Sequence, residues 1–491
     1  MTNYLKNTAN RTLTENGAAA LSTTGSNCLD LFASIGALRN KNEQNIVNRF
    51  VRAFSENRDM ALKILFYARD IRGGLGERNV FRVILKWLAD NEPNVVIKNM
   101  DYIAEYGRFD DLLVLLRTPC EKQVVEYIKN QLDSDIKAMN DNEKVSLLAK
   151  WLPSINATDK NTVHTAKHLA DQLGMSCAEY RKTLSALREK LKIIENNLRE
   201  KDYTFDYEKQ TSRSLFKYKE AFYRNDSGRY SDFLNRVNKG EAKLKTDNVY
   251  PYELISPYLS WNHSLNRNLS EHEKNSLNAT WKSFSDFGGD ENAIAVVDTS
   301  GSMYCGEYPL PASVAISLGL YFAERNKGCF KNCFIEFSKE PRLIELEGET
   351  FVDKLRYILT FNEIANTDIE AVFNLILESA LKNNVSQEDL PKKIVIISDM
   401  EFDHCVDNSS ATVFENAKKQ FEDNGYKLPN VVFWNVDDRN NHRPVGMNQQ
   451  GVLLVSGATP KLFAMVAGKT CSPYEFMIET LYGGRYEKIS A

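Results

Sequence analysis

Long apolar runs are missing from this sequence of 491 residues. No stretch approaches the roughly 20 consecutive apolar residues that a membrane-spanning helix requires. The first residues, Met1–Lys6, lack the basic start and apolar centre of a signal peptide. We therefore expect a cytoplasmic protein without membrane association.

Cysteine and histidine are scarce, with eight and six residues. The cysteines contain no Cys-x-x-Cys pair, and Cys329 and Cys333 have no second Cys/His pair to complete a zinc finger, so we expect free thiols. His164 and His168 stand four residues apart on a predicted helix. Because no third ligand is identifiable near them, packing or surface roles are favoured over a metal site.

The sequence also lacks a complete phosphate-binding loop. The glycines of Gly73-Gly74-Leu75-Gly76 follow no predicted strand and precede no Gly-Lys-Ser/Thr, which excludes the usual nucleotide-binding arrangement. An inter-helix turn is the favoured interpretation. It leaves Arg72, Arg78 and Arg82 available to phosphates or to solvent.

Composition indicates a multidomain globular protein. The hydrophobic fraction is 43% and the charged fraction 26%, and the length predicts two or three domains. The formal net charge is −4, yet residues 181–250 carry 17 Lys and Arg against 11 Asp and Glu. This asymmetry is typical of a basic surface for an anionic partner, and equally of solvated helix faces.

The first half of the chain has helical periodicity, after a polar lead-in over residues 1–40. Apolar residues such as Ile46, Phe50 and Phe54 recur at steps of three and four. Breaks at glycine and proline leave helices of roughly 12 to 18 residues joined by short turns. The pattern predicts stacked, HEAT-like helical repeats, with an irregular helical bundle as the alternative because no strict repeat period is present.

Basic and aromatic residues alternate in three parts of this helical half. Lys150 and Trp151 stand at a helix end, and residues 180–192 form an amphipathic helix with a basic side. Residues 212–224 are the densest of the three. Single-stranded RNA needs cations for its phosphates and flat side chains for its bases, but Phe216 and Phe222 would equally suit an apolar core.

In the second half of the chain, predicted strands and helices alternate from residue 293 onward. This alternation predicts a doubly wound α/β domain, in which helices cover both faces of a mostly parallel sheet. The predicted strands are 293–297, 333–337, 343–345, 393–398, 431–436 and 452–456. The predicted helices are 312–325, 352–359, 369–381, 413–423 and 460–466.

Oxygen-bearing side chains follow the two most apolar of these strands. Asp298, Ser300 and Ser302 come after the first strand, and Asp399 directly follows the strand at 393–398. Thr367 precedes the helix at 369–381. Because adjacent strand ends converge in such a sheet, these five side chains could surround one cation, and hard oxygens suit Mg²⁺ or another hard divalent cation.

Two catalytic alternatives at this site are disfavoured. An aspartyl-phosphate phosphatase needs a second acid two residues after Asp298, and Ser300 stands there. A serine hydrolase would frame its nucleophile as Gly-x-Ser-x-Gly, which neither Ser300 nor Ser302 matches. Neither reaction is therefore favoured, and a polar loop without a metal is the alternative to a cation site.

The pattern Asp298-x-Ser300-x-Ser302 with Thr367 and Asp399 resembles the metal-ion-dependent adhesion site of von Willebrand factor A domains, over roughly residues 290–491. The resemblance implies that the first aspartate and the two serines hold Mg²⁺. It also implies that the threonine adds a ligand, that the second aspartate acts through water, and that an acidic partner group completes the coordination. Because the resemblance implies metal-dependent binding and not catalysis, we expect no enzymatic activity.

A helical-repeat domain before such an A domain resembles the plan of the Ro autoantigen (TROVE) family, whose ring of repeats binds non-coding RNA. The first half is more similar still to a family of uncharacterised Ro-like proteins. The motifs that carry this similarity are Leu13-Thr-Glu-Asn-Gly17, Arg69-Asp-Ile-Arg72-Gly-Gly-x-Gly76-Glu-Arg78, Tyr106-Gly107-Arg108-Phe-Asp110-Asp111, Ala149-Lys150-Trp151-Leu-Pro153-Ser154 and Tyr180-Arg181-Lys182.

Together these observations predict a helical-repeat, TROVE-like domain over residues 1–285 and a von Willebrand A-like domain over 286–491. The leading hypothesis is a Ro-like protein that grips single-stranded ends or misfolded non-coding RNA and holds a divalent cation. The alternative is a metal-dependent protein-interaction scaffold with an acidic protein partner. The predicted RNA contacts are Arg72, Arg78, Arg108, Lys150, Trp151, Arg181, Lys182, Arg188, Arg213 and Lys217.

Overall fold

The computed structural model describes residues 9–289, 291–338, 340–361, 368–403 and 413–491. Its first part is helical and its second part contains a mixed sheet, as the sequence predicts. Among the described residues, no helix is long and apolar enough to cross a membrane. The seven cysteines of this part of the chain are all free thiols, as expected.

A short hairpin of strands β1 (Arg11–Leu13) and β2 (Ala19–Leu21) precedes the helices. The α-helices that follow are Asn27–Phe32, Glu43–Glu56, Arg58–Arg69, Asn79–Asn91, Pro93–Lys98, Met100–Tyr106, Glu121–Asn140, Leu148–Trp151, Lys160–Gln172, Cys177–Lys190, Ile194–Glu200, Ser212–Asn225, Ser227–Lys239, Tyr252–Ile255 and Glu271–Lys282. Helices that follow one another pack together, as Glu43–Glu56 does with Arg58–Arg69.

Local chemistry explains where many of these helices begin and end. The Asn57 side chain accepts a hydrogen bond from Met60 N at the start of Arg58–Arg69. Ser176 and Glu179 form a capping box before Cys177–Lys190. Gly240 ends Ser227–Lys239 in the left-handed conformation, with a φ of 80° that glycine adopts without strain.

The sheet consists of β3 (Ala293–Asp298), β4 (Cys333–Phe337), β5 (Arg342–Glu345), β6 (Lys393–Ser398), β7 (Asn430–Asn435) and β8 (Val452–Ser456). Their order is β5-β4-β3-β6-β7-β8, and within this described six-stranded sheet only the β4–β5 pairing is antiparallel. The helices of this part are Pro311–Arg325, Phe351–Ile358, Ile369–Asn383, Val413–Asp423, Lys461–Val466 and Pro473–Tyr482. The predicted strands and helices are thus confirmed, and Pro473–Tyr482 is an additional helix.

Both faces of the sheet are covered. Alternate β3 residues point to opposite sides, so Val297 contributes to one apolar cluster and Val296 to another. Helix Pro311–Arg325 lies on the first side, and helices Ile369–Asn383 and Val413–Asp423 lie on the second. This arrangement is the doubly wound one that the sequence predicts.

The helical part and the sheet part share one of these cores. The cluster that contains Val297 continues without a break into helical residues such as Leu62 and Phe81. A separate, smaller cluster contains buried residues between Ile194 and Ala279, and in it the rings of Tyr207 and Phe222 are in contact. The two halves of the chain are therefore joined by apolar packing and not only by their connecting segment.

Candidate metal centre and candidate RNA contacts

The strand order places the ends of β3 and β6 side by side at the centre of the sheet. From β3 the chain continues toward β4 on one side, and from β6 toward β7 on the other. Connections that diverge in this way leave a crevice at the carboxyl ends of the strands, where doubly wound proteins bind ligands. Asp298 is the last residue of β3, and Asp399 follows the last residue of β6.

Asp298 is completely buried, and hydrogen bonds fix its carboxylate. Oδ2 accepts a hydrogen bond from Ser398 Oγ at 2.6 Å, and Oδ1 accepts one from Ser300 N at 2.9 Å. Burial raises the pKa of Asp298 because it disfavours the charged form, while these hydrogen bonds act in the opposite direction. The carboxylate is therefore held in a fixed position in an environment that penalises its negative charge.

Two serine hydroxyls stand beside this carboxylate on the loop after β3. Gly301–Tyr304 forms a single 3-10 turn, and this turn brings Ser302 Oγ to 3.0 Å from Ser300 Oγ. Ser300 is buried and Ser302 is half-buried. The loop thus presents two neutral oxygen donors next to the charged one.

Asp399 brings a second buried carboxylate to the same place. Burial, and to a lesser extent the negative charge of Asp298, raise the pKa of Asp399 to about 7. Ser302 and Arg439 act in the opposite direction and lower this pKa. Its Oδ2 atom accepts no hydrogen bond from the residues that the structure describes. Arg439 Nη1 lies 3.6 Å from this oxygen.

These observations fit a divalent cation. Two carboxylates that repel each other are stabilised by a charge of +2 between them, and the Oδ2 atom of Asp399 is available for coordination. Asp298, Asp399, Ser300 and Ser302 are all oxygen donors, which Mg²⁺ prefers. Thr367, the fifth predicted donor, lies outside the described residues.

The described part of the chain contains no group of three or more His, Cys, Asp or Glu side chains close enough to hold a metal. The candidate centre combines only two carboxylates with hydroxyl groups. His164 and His168 do not share a site: His164 Nε2 lies 2.8 Å from Arg117 Nη2, and His168 Nε2 lies 2.5 Å from Glu121 Oε1.

Sequence reasoning missed Ser398 and Arg439 as parts of this centre. Ser398 orients Asp298, and Arg439 follows β7 by four residues. A signal for Arg439 was present, because β7 was predicted and the loops after parallel strands meet at one edge of the sheet. Applying that rule to a third strand end would have identified the arginine.

Four of the ten predicted RNA contacts form one basic-aromatic cluster, consisting of Arg78, Arg108, Lys150 and Trp151. The Arg108 guanidinium lies over the Trp151 ring at 3.9 Å from its centroid, and Lys150 Nζ approaches the same ring at 5.7 Å. Burial lowers the pKa of Arg78, and the positive charge of Arg108 lowers it further. Asp110 pairs with Arg108 and neutralises part of the charge.

Arg188 is bound inside the protein. Its guanidinium donates to Ala149 O and Leu152 O at 2.8 Å each, and to Ser154 Oγ at 2.7 Å. Arg181 lies on the same helix and is exposed. The RNA role of Arg188 stays a prediction, but its position shows a structural role that the sequence did not reveal.

The remaining predicted contacts are exposed, and some have partners within the protein. Arg72 donates to Glu105 O, and Arg213 pairs with Glu253 at 2.6 Å. Lys217 lies 4.9 Å from the Tyr218 ring centroid. Lys182 is exposed on helix Cys177–Lys190.

The aromatic residues of 212–224 have divided roles. Phe222 is completely buried and contacts Tyr207, so it belongs to the core of this region. Phe216 is half-buried, and Tyr223 is stacked on His272. The role of Phe222 is therefore packing in the core, which the sequence had left open as the alternative to RNA binding.

The fold and the candidate centre define a class of protein: a helical domain joined to a doubly wound domain with oxygen donors at its central strand ends. The chain belongs to the family described as "Domain of unknown function (DUF2828)", which its residues 14–129 and 122–286 match. Residues 292–473 match a second family, described as "Domain of unknown function (DUF7788)".

Two individual proteins are similar to the chain over most of its length. Uncharacterized protein L728 of Acanthamoeba polyphaga mimivirus is 30% identical over 495 residues, which cover 93% of this chain and 85% of the relative. The crystal structure of the Deinococcus radiodurans RO (RSR) protein is similar with a TM-score of 0.36 and 12% sequence identity. That match covers 91% of this chain and 92% of the solved one.

Proposed function

We propose that the sheet domain binds a divalent cation, Mg²⁺ in the cell, and that this centre serves binding and not catalysis. The observation that carries the proposal is the placement of two buried carboxylates, Asp298 and Asp399, beside two serine hydroxyls. Burying two like charges together is costly unless a cation compensates them. The cation would supply a Lewis-acidic position at which an acidic group of a partner could bind.

Titration of the metal-free full-length protein with Mg²⁺ and Mn²⁺ tests this proposal. We expect the wild type to bind both ions and to be stabilised by them, and Ser302→Ala to bind more weakly, because it loses one donor and little packing. Asp389→Asn, at an exposed residue of the same domain, is the matched control and should bind as the wild type does. Equal affinity of wild type and Ser302→Ala, together with binding by Asp298→Asn, would refute the proposal.

We further propose that the helical domain binds single-stranded or misfolded non-coding RNA, in the manner of the Ro-like proteins that the sequence motifs resemble. The basic-aromatic cluster supports this function, since Arg78 and Arg108 offer charge for phosphates and Trp151 offers a ring for a base. The resulting ribonucleoprotein would be cytoplasmic. The free thiols are consistent with such a reducing compartment.

Binding of a single-stranded RNA oligonucleotide at several salt concentrations tests the RNA function. We expect an affinity that falls as salt rises, because cations on the protein release counterions from the phosphates. Trp151→Ala should weaken binding by roughly tenfold or more, as expected for the loss of one stacked base. Tyr482→Ala removes an exposed aromatic ring elsewhere and should leave binding unchanged; loss of affinity in this control, or no loss in Trp151→Ala, would count against the cluster.

A protein-interaction scaffold is the second candidate function. It is favoured by the pairing of several predicted RNA contacts with groups of the protein itself, such as Arg108 with Asp110 and Arg213 with Glu253. In that case the metal centre captures an acidic protein and the helices bind peptide. The ratio of absorbance at 260 and 280 nm after purification distinguishes the two, because a scaffold carries no nucleic acid.

A further inference from the structure

The hairpin β1–β2 lies on the loop that follows β6, next to the candidate metal centre. Glu15 N donates to Glu401 Oε2 at 2.7 Å, and Asn16 Nδ2 donates to Glu401 O at 2.7 Å. Thr14 Oγ1 donates to Phe402 O, and Gly17 pairs with Asp403 in an antiparallel bridge. The turn of the hairpin is therefore attached through its backbone and through short polar side chains.

The Glu15 side chain takes no part in this attachment. Its Oε2 atom lies 3.0 Å from Arg439 Nη2 and accepts a hydrogen bond from Asn440 Nδ2 at 3.3 Å. The other terminal nitrogen of the same guanidinium, Arg439 Nη1, lies 3.6 Å from Asp399 Oδ2. Arg439 thus connects a carboxylate of the candidate metal centre with a carboxylate of the hairpin.

Arg439 is well placed to recognise an acidic ligand. A guanidinium presents several N–H donors in one plane and binds carboxylates through two of them. A cation held by Asp298 and Asp399 would stand beside this guanidinium. The two positive groups together would offer a carboxylate two points of attachment.

We propose that Arg439 is the second anchor of a carboxylate-binding site at the metal centre, and that Glu15 is the intramolecular carboxylate that occupies this anchor in the free protein. This inference rests on the proposed metal-binding function. An acidic side chain of a partner must displace Glu15 from Arg439. The backbone attachment of the hairpin does not need to change, because it does not involve the Glu15 carboxylate.

The expected size of the effect follows from exposure. The Glu15 side chain is 48% exposed and that of Arg439 is 30% exposed. Ion pairs of this kind contribute little, on the order of a severalfold change in an equilibrium constant. Glu15 should therefore weaken the binding of an external carboxylate by about fivefold without preventing it.

Mn²⁺ and acetate serve as probes with the full-length protein. Mn²⁺ is first bound and its affinity measured by electron paramagnetic resonance. Acetate is then added, and its binding is followed through the loss of water-proton relaxation by Mn²⁺ as acetate replaces bound water. The proteins compared are the wild type, Glu15→Gln, Glu15→Gln with Arg439→Gln, and Glu43→Gln, a control at an exposed glutamate on helix Glu43–Glu56.

Glu15→Gln is expected to bind acetate about fivefold more tightly than the wild type, and Glu43→Gln to match the wild type. Adding Arg439→Gln should remove this gain while Mn²⁺ still binds. If both the wild type and Glu15→Gln bind Mn²⁺ but have the same affinity for acetate, the inference about Glu15 is overturned. The proposed metal function is then unaffected. Failure of every protein, wild type included, to bind Mn²⁺ would refute the proposed metal function itself.

Discussion

Arg485 Nη2 donates a hydrogen bond of 2.8 Å to Asp70 Oδ1, although the two residues are 415 positions apart in the chain. Asp70 is completely buried, and Tyr486 OH donates to its other oxygen at 3.0 Å. Arg72 N donates to Oδ1 at 2.9 Å. The glycine-rich turn after helix Arg58–Arg69 resembles a phosphate-binding loop in sequence. In the structure, its first residue, Asp70, instead binds the segment that follows the last helix.

Removing the Asp70 partner should destabilise the protein. Arg485→Ala leaves a buried carboxylate with fewer donors, and we expect a loss of about 2–3 kcal/mol in the free energy of unfolding. Urea denaturation measures this loss. Arg58→Ala is the matched control, because Arg58 and Glu92 form an exposed pair whose side chains are 49% and 32% accessible; it should cost less than about 1 kcal/mol. Equal losses in the two variants would contradict this account of Asp70.

A glycine in helix Pro311–Arg325 permits close packing against β3. A Cβ atom at Gly319 would lie only 2.3 Å from Val297 Cγ2. Val297 is the residue that precedes Asp298 in β3. We expect Gly319→Ala to cost about 1–3 kcal/mol of stability and to weaken Mg²⁺ binding, since the end of β3 must shift. At the helical Gly228, no atom beyond its chain neighbours and the nearby backbone of its own helix lies within 4 Å of the new Cβ, so Gly228→Ala should instead stabilise by about 0.4–1 kcal/mol. Calorimetry with and without Mg²⁺ tests both expectations, and an unchanged Mg²⁺ affinity in Gly319→Ala would contradict the link to the metal centre.

Arg188 and Arg181 provide a test of structural against binding roles on one helix. Arg188 donates three hydrogen bonds to residues 149–154, so Arg188→Ala should lower stability by about 2–3 kcal/mol. Arg181→Ala should change stability by less than about 0.5 kcal/mol, because the side chain is exposed. Chemical denaturation measures both. If Arg188→Ala unfolds at the wild-type midpoint, the hydrogen bonds of Arg188 do not stabilise the turn.

The metal-free centre should make stability depend on pH. The pKa of Asp399 is raised from 3.8 to about 7, which means that the folded protein tolerates the protonated carboxyl better than the charged one. The folded state is therefore most stable, as far as this group is concerned, below pH 3.8, and it loses that stability as the pH rises through 7. In EDTA, Asp399→Asn should therefore be more stable than the wild type at pH 8, and this advantage should shrink at pH 5. Mg²⁺ should stabilise the wild type more at pH 8 than at pH 5, because protons compete with the cation at low pH.

Urea unfolding at the two pH values, with EDTA and with Mg²⁺, checks this dependence. Asp389→Asn serves as the control, since Asp389 is exposed and lies outside the centre. An Asp399→Asn protein that is less stable than the wild type at both pH values in EDTA would show that the two buried carboxylates do not oppose each other.

Much of the sheet domain was predictable because its elements are encoded locally. Buried parallel strands have continuous apolar runs, and the runs at 293–297 and 393–398 were recognised within one residue of their observed bounds. The position of Asp298 and Asp399 after these runs was enough to expect that they would converge. Their burial, and the raised pKa values that result, required the structure.

The helical domain was predictable in type but not in its contacts. Periodicity indicates which face of a helix is apolar, but not which element covers that face. Lys461 Nζ, for example, donates to Ile71 O and Arg72 O, and Asn99 Nδ2 donates to Ser490 O. No local pattern predicts such pairs between distant segments.

The sequence by itself determined the succession of helices and strands and the oxygen donors at the central strand ends. The reason is that apolar periodicity and strand-end position are local properties of the chain. Only the tertiary structure decided that Glu15 faces Arg439 and that Arg485 binds Asp70. These contacts depend on how both backbones are placed in space, because each joins residues more than 400 positions apart.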